Sequence, residues 1–310
     1  MDLALERLRI PGGYPDCKSP AGEWCIDNEA FERLVSQLAV AVSPPVTSGA
    51  ATIGPAGFYV GVSGAITPIS MSYVWRNGTV GDGRSGMNKS PDGELLWNRL
   101  SVRKGLPFGL EVGTSVGRGF DTSMWVLSAE AKWAVLEGFH SGLGHFPDLA
   151  VRGVLSSTVG ARQLSLRTNA FDVTLSKPYV VAQSYRLTPL LALQALFVHG
   201  TSARVDISAS QSAWNACAPK EGAAGSETGQ VLSCDKSSAD LANDVVFRPV
   251  SQTRLRAFAG AEVTHEMISS ALTVGYDLTV PSLHTQNLHE GLNSPLSRQI
   301  TFQLSLGLRY

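Results

Sequence analysis

The residues in this 310-residue chain that could do chemistry are mostly charges set between apolar neighbours. Arg99, Arg103, Lys132, Arg152, Arg167, Arg254, Arg256 and Arg309 form a cationic set. Glu111, Glu130, Glu262, Asp277, Gln194 and Gln303 form its acidic and amide counterpart. Brought into one enclosed space, they would make either a salt-bridged interior or a narrow cation-lined path for anions. Hydrolytic chemistry has poorer material. His199 and Asp206 could orient a water, with Asp82, Asp121, Asp240 and Asp244 as further carboxylates, but no acidic pair has the spacing that such a site needs. His140-Ser141 is the one adjacent His–Ser couple, and it falls in a connecting turn. His265-Glu266 lacks the second histidine of a zinc helix. The glycines of Gly113–Gly119 belong to strands and a turn, not to a phosphate loop ahead of a helix. No catalytic residue, metal ligand or cofactor is expected.

What must position these charges is β-structure. The last eleven residues alternate without a break, with Ile300, Phe302, Leu304, Leu306, Leu308 and Tyr310 on one face and Thr301, Gln303, Ser305, Gly307 and Arg309 on the other. About eleven residues is what a tilted strand needs to cross a bilayer core. The same period recurs at 57–67, 95–105, 108–117, 123–136, 148–158, 164–176, 187–199, 252–264 and 268–280, giving about ten strands. Between Leu166 and Phe171 the apolar face switches, which predicts a bulge. An even strand number returns both ends to one side. The connections 104–107, 137–147, 177–186 and 265–267 then share that side, and those at 71–93, 118–122, 159–163, 200–246 and 281–297, which include the longest, share the other.

Composition agrees. Net charge is −1, charged residues make up 16% and glycines number 31, while mean hydropathy is +0.05. Soluble chains carry about 25% charge. A soluble ten-stranded barrel or sandwich would show the same alternation, but with Lys and Glu on its polar faces. Here those faces are rich in Ser, Thr, Gly and Gln, which suits a hydrated interior. Near-zero net charge argues against nucleic-acid binding.

Residues 1–55 differ from the strand region at 56–310. Asp27 can cap a helix beginning at Asn28, with Phe31, Leu34, Val35, Leu38 and Val42 on one face, an Ile26–Phe31 staple, and Pro44-Pro45 as the stop. The segment packs on a barrel rim, plugs the barrel or docks a partner. Asp2, Glu6 and Arg9 interrupt any apolar signal core, so a mature chain is expected. Cys17 with Cys25, and Cys217 with Cys234, lie in loop-like stretches without zinc-ligand spacing and predict two local disulfides.

The terminal strand, with Phe302, Leu304, Leu306, Leu308 and the final aromatic Tyr310, resembles the C-terminal strand of bacterial outer-membrane β-barrel proteins. Members of that family more often end in Phe. The resemblance implies an all-β, transmembrane, antiparallel up-and-down barrel over 56–310 in the outer membrane, with 1–55 as a periplasmic segment and with outer-membrane lipid and the barrel-assembly machinery as partners. The amphipathic segment ahead of the Gly57–Thr67 strand also resembles the N-terminal hatch of long-chain hydrocarbon transporters, which have more strands. The function expected is a non-catalytic small pore or membrane scaffold with a disulfide-held extracellular loop and an extracellular or periplasmic protein partner. The alternatives are a transporter of hydrophobic or anionic small molecules and, third, a barrel hydrolase.

Overall fold

The computed structural model describes residues 2–12, 24–69, 73–80, 88–89, 91–137, 146–182, 184–207, 244–280, 296 and 298–310. Ten long strands carry the fold: β1 (Phe58–Pro68), β2 (Glu94–Leu106), β3 (Leu110–Gly119), β4 (Trp125–Leu136), β5 (Asp148–Val159), β6 (Leu164–Ser176), β7 (Tyr185–Ser202), β8 (Val250–His265), β9 (Ile268–Asp277) and β10 (Ile300–Arg309). Each pairs antiparallel with the next in sequence, and β10 pairs with β1, so the sheet closes. Among the described residues, Tyr179–Ala182 alone adds to it, against the start of β7. Closure satisfies every ladder without an edge, as a hydrocarbon surrounding requires.

Tight turns fix the register. Pro107-Phe108-Gly109 joins β2 to β3 with positive φ at Phe108 (66°) and Gly109 (72°), and Glu266-Met267 joins β8 to β9 with φ 50° at Glu266. The alternation then sorts side chains. Leu304, Leu306 and Leu308 are 59%, 54% and 58% exposed, while Gln303 and Ser305 between them are buried. Leu155, Leu191 and Leu272 continue this apolar exterior around the barrel. Phe58, Phe108, Trp133, Tyr185 and Tyr310 ring the end with the tight turns, and Phe120, Trp125 and Tyr276 stand at the other. Such a belt is far larger than the few hundred Å2 that a soluble monomer exposes, and aromatic girdles flank it as at membrane interfaces. No described helix is long and apolar enough to cross a membrane.

Helix α1 (Asn28–Val42) forms where the capping signal places it, and the Asp27 side chain accepts from the Ala30 amide at 2.9 Å. Unlike a surface helix, it is buried on its polar side as well, including Glu29, Glu32, Arg33, Ser36 and Gln37. It touches β1, β2, β6, β7 and β8, strands on opposite walls, so it lies within the barrel. Helix α2 (Tyr73–Gly78), in the β1–β2 connection, covers it.

Three expectations are corrected. The chain's first residues are not at the rim of the tight turns, where the C-terminus sits. Asp2 bonds Ser123, Ala4 donates to Gly78, and the Leu5 amide meets Gln163, all in the longer connections at the other rim. The two ends of the chain therefore lie at opposite rims. The bulge expected between Leu166 and Phe171 is absent: both β6 ladders run through it in unbroken register. Irregularities occur instead at Ala134/Leu136 and at Tyr185/Arg186. In consequence Arg167 points outward, level with Ser157 and His199, while Leu164, Leu166 and Ala170 point inward.

Candidate functional site in the barrel lumen

The interior has two tiers. Toward the rim of longer connections it is an ordinary apolar core. Phe31, Leu34, Val35 and Leu38 of α1 pack with Trp97, Val126, Val154, Leu164, Leu166, Leu196 and Val198 from the wall. Phe31 stacks on Phe247 at 4.7 Å. Helix polar groups inside this core each find a partner. Arg254 reaches Ser36 at 2.7 Å, Gln252 reaches Glu32 at 3.0 Å, and the Trp75 indole reaches Gln37 at 2.5 Å. Glu29 pairs with Arg33 at 2.8 Å.

Beside and below it the wall carries a polar belt to which all ten strands contribute, slanting from Thr67, Thr301 and Asp277 near the rim of longer connections to Glu111, Glu262 and Arg309 near the other. Lys132 and Arg103 hold Glu111 at 3.2 and 3.3 Å, and Arg103 lies 4.0 Å from Glu130. Arg152 bridges Glu130 (2.9 Å) and Asp172 (2.6 Å). Asp172 accepts from Gln194 at 2.7 Å, and Gln194 accepts from Arg256 at 3.2 Å. Arg256 and Arg254 both hold Asp277, the former at 3.1 Å. Thr301, bonded to Arg256 at 2.9 Å and to Thr67 at 3.2 Å, carries the belt onto β10 and β1. Arg309 closes on Glu262. The Arg103 guanidinium stacks on Tyr59 at 4.0 Å, whose ring covers the bare backbone of Gly61 and Gly307.

Through this belt passes the chain itself. Beyond the helix stop at Pro44-Pro45, residues 42–53 run down the lumen and offer their backbone to the wall. Arg99 donates to Val42 O (2.9 Å), Gln194 to Pro44 O (3.5 Å), Arg152 to Pro45 O (3.2 Å), and Arg103 to Ser48 Oγ (2.8 Å). Lys132 reaches Gly49 O and Ala51 O at 3.4 and 3.1 Å. In return the amides of Gly49, Ala50 and Ile53 donate to Glu262, Ser176 and Glu111 at 3.2, 2.8 and 3.3 Å. Thr52 caps the run on Glu137. The partners come from each strand from β2 to β8.

The cations of the sequence set, Arg167 excepted, thus face inward, but they are occupied by wall carboxylates and by this segment. Gln303 also faces inward and is buried. Asp172, which joins Arg152 to Gln194, is the member that sequence reasoning missed. Its β6 alternation, Asp172 between Phe171 and Val173, carried the signal, but the apparent face switch upstream obscured it.

The sparse catalytic candidates do not converge. His199 points outward between Arg167 and Ser251, and Asp206 lies in a two-residue ladder with Asp244. His140 and Ser141 lie outside the described residues, as do Asp82, Asp240, Cys17, Cys217 and Cys234. Cys25 sits on Trp24–Ile26, paired with Arg9–Pro11. No group of three or more His, Cys, Asp or Glu with metal-binding geometry occurs among the described residues.

No family model matches the chain, and no curated protein matches it. Similar solved structures include Ail, the attachment invasion locus protein of Yersinia pestis, at 10% identity and a TM-score of 0.27, covering 83% of this chain and 99% of that one. The N-terminal β-barrel domain of Pseudomonas aeruginosa OprF gives 8%, 0.28, 83% and 99%. The outer membrane protease OmpT from Escherichia coli gives 6%, 0.31, 87% and 99%. Closed, even in strand number, apolar and aromatic-belted outside and polar within, the chain has the architecture of the bacterial outer-membrane β-barrel proteins.

Proposed function

We propose that this protein is a non-catalytic outer-membrane barrel held shut by its own amino-terminal segment, a membrane scaffold that presents its longer connections to the outside. The observation that carries this is the hydrogen bonding of residues 42–53 to wall side chains from β2 through β8, below a helix that fills the rest of the bore. The cations that would attract an anion in an open lumen are spent on wall carboxylates and on that backbone. An anion path therefore requires the segment to leave.

Single-channel conductance in planar bilayers tests this, with the full chain beside a chain lacking residues 1–55 whose strand content is verified by circular dichroism. The full chain is expected to be silent and the truncated one to open discretely. Discrete openings in the full chain would refute the closed state. Silence in both would show that the wall, not the segment, blocks passage. The connection at 200–246 is the natural surface for a protein partner, since connections of that length are usually functional. Its deletion is expected to abolish capture of that partner. The Cys17–Cys25 and Cys217–Cys234 pairs are expected to add two disulfides, read by mass before and after reduction. Peptidase and lipase assays on the purified protein address the enzymatic alternative, and both are expected to be blank.

A further inference from the structure

On the outer wall, close to the rim of longer connections, one row of direct partners differs from its neighbours. Gly64 of β1 lies opposite Asn98 of β2, Asn98 opposite Arg118 of β3, and Arg118 opposite Trp125 of β4. Leu304 of β10 flanks Gly64 on its other side. All of them face away from the lumen. The next row down is wholly apolar: Leu306, Val62, Leu100 and Val116.

Gly64 leaves a notch, since a Cβ there would meet nothing closer than Asn98 Oδ1 at 3.7 Å. Around it lies a groove of about 600 Å3, its floor formed by the apolar residues of both rows, with Asn98 and Arg118 to one side. The Arg118 guanidinium lies 5.3 Å from the centroid of the Trp125 ring and forms no ion pair with any described carboxylate. Along β2, Glu94, the next outward carboxylate, is four residues from Asn98, about 13 Å. Arg118 is the penultimate residue of β3, just ahead of the exposed Phe120, so its charge stands at headgroup level and the apolar floor at acyl depth.

A cation on a lipid-facing wall needs an anion or water to meet it. A guanidinium beside an amide donor, held by no ion pair from the carboxylates of the neighbouring turn, Asp121 and Asp2, matches a phosphate. We propose that this groove binds a membrane lipid with an anionic phosphate headgroup. The phosphate sits on Arg118 and the Asn98 amide, and an acyl chain lies in the Gly64 notch between Leu304 and Leu306 on one side and Leu100 and Val116 on the other.

The test is native mass spectrometry of the full-length protein in mild detergent, with phosphatidylglycerol, phosphatidylcholine or glycerol phosphate added. The wild type is expected to retain one phosphatidylglycerol at least tenfold better than phosphatidylcholine, and no glycerol phosphate. Gly64→Leu, which fills the notch without meeting backbone, is expected to cut retention at least fivefold. Arg118→Gln is expected to do the same and to erase the headgroup preference. Both positions face outward, and unchanged strand circular dichroism establishes that each variant folds. Equal retention of the two lipids, retention of glycerol phosphate alone, or full retention by either variant overturns the site. The proposal rests on the wall facing lipid. That premise fails by a different result, a chain that stays monodisperse in buffer without any amphiphile.

Discussion

Asp277→Asn is the most direct probe of the polar interior. Asp277 is fully buried and holds two fully buried guanidiniums, those of Arg254 and Arg256. Its Oδ2 also accepts the Gln299 amide at 3.2 Å. The substitution preserves shape and removes the charge, leaving two cations enclosed with one counter-charge fewer. Removing one partner of a buried pair costs about 3–5 kcal/mol. Secondary contacts survive: Arg254 keeps Ser36 (2.7 Å) and Gln299 (3.3 Å), and Arg256 keeps Gln194 (3.2 Å) and Thr301 (2.9 Å). The low end of the range is therefore expected, roughly 3 kcal/mol, or on the order of a hundredfold in the folding equilibrium. Urea titration of the barrel refolded into lipid vesicles, followed by tryptophan fluorescence, reads it. A charge-free triple variant, Asp277→Leu with Arg254→Met and Arg256→Met, is expected to lose less than the single change, because no guanidinium is left unpaired. A loss below about 1 kcal/mol for Asp277→Asn would refute the reasoning, since it is what pairs screened by water would give.

The remaining expectations are shorter. Gly307→Leu drives a Cβ to 2.4 Å from the Tyr59 ring and pushes that ring off Arg103, so a loss of about 1–3 kcal/mol is expected, partly recovered by adding Tyr59→Ala. An epitope fused ahead of Met1 is expected to stain on intact cells, and one after Tyr310 only after permeabilisation; the opposite pattern would reverse the orientation. Asp2 accepts from the Ser123 amide (2.9 Å) and hydroxyl (3.0 Å), which holds its carboxyl below the usual range. A depressed acid stabilises above its unfolded value and loses that contribution as pH falls through its folded one. Hydrogen exchange at Ser123 is thus expected to stay slow down to about pH 4, to quicken only on further acidification, and to be fast throughout in Asp2→Asn.

The sequence exposed the strands because a period of two is hard to imitate, and the Asp27 cap and Pro44-Pro45 stop bounded α1 to within a residue of where it lies. It also identified the inward charges on β2 to β5 and β8 to β10, where lipid lies on one side of the wall and polar groups on the other. The same logic misplaced Arg167, because apolar is not a synonym for lipid-facing once a helix occupies the bore. Leu164 and Leu166 are apolar because α1 packs on them, and Arg167 is polar because β6 extends toward the rim. The path of residues 42–53 was illegible for another reason. An extended run of Ser, Pro, Gly and Ala has no periodicity of its own, and the wall satisfies its backbone. The side of the barrel on which the chain begins follows from that path, which strand counting does not see.

A chain that runs down the inside of its own sheet limits the sequence of events by which it can be built. The final seam joins the first strand to the last, where Phe58 and Tyr310 exchange amide bonds at 2.8 Å in both directions. Once it shuts, a helix about 10–12 Å across has no way in past the side chains that meet at the middle. In the full chain the strands must therefore curl around a segment already in place, with the arginines gripping it while the sheet is open, a constraint from which a chain lacking residues 1–55 is released.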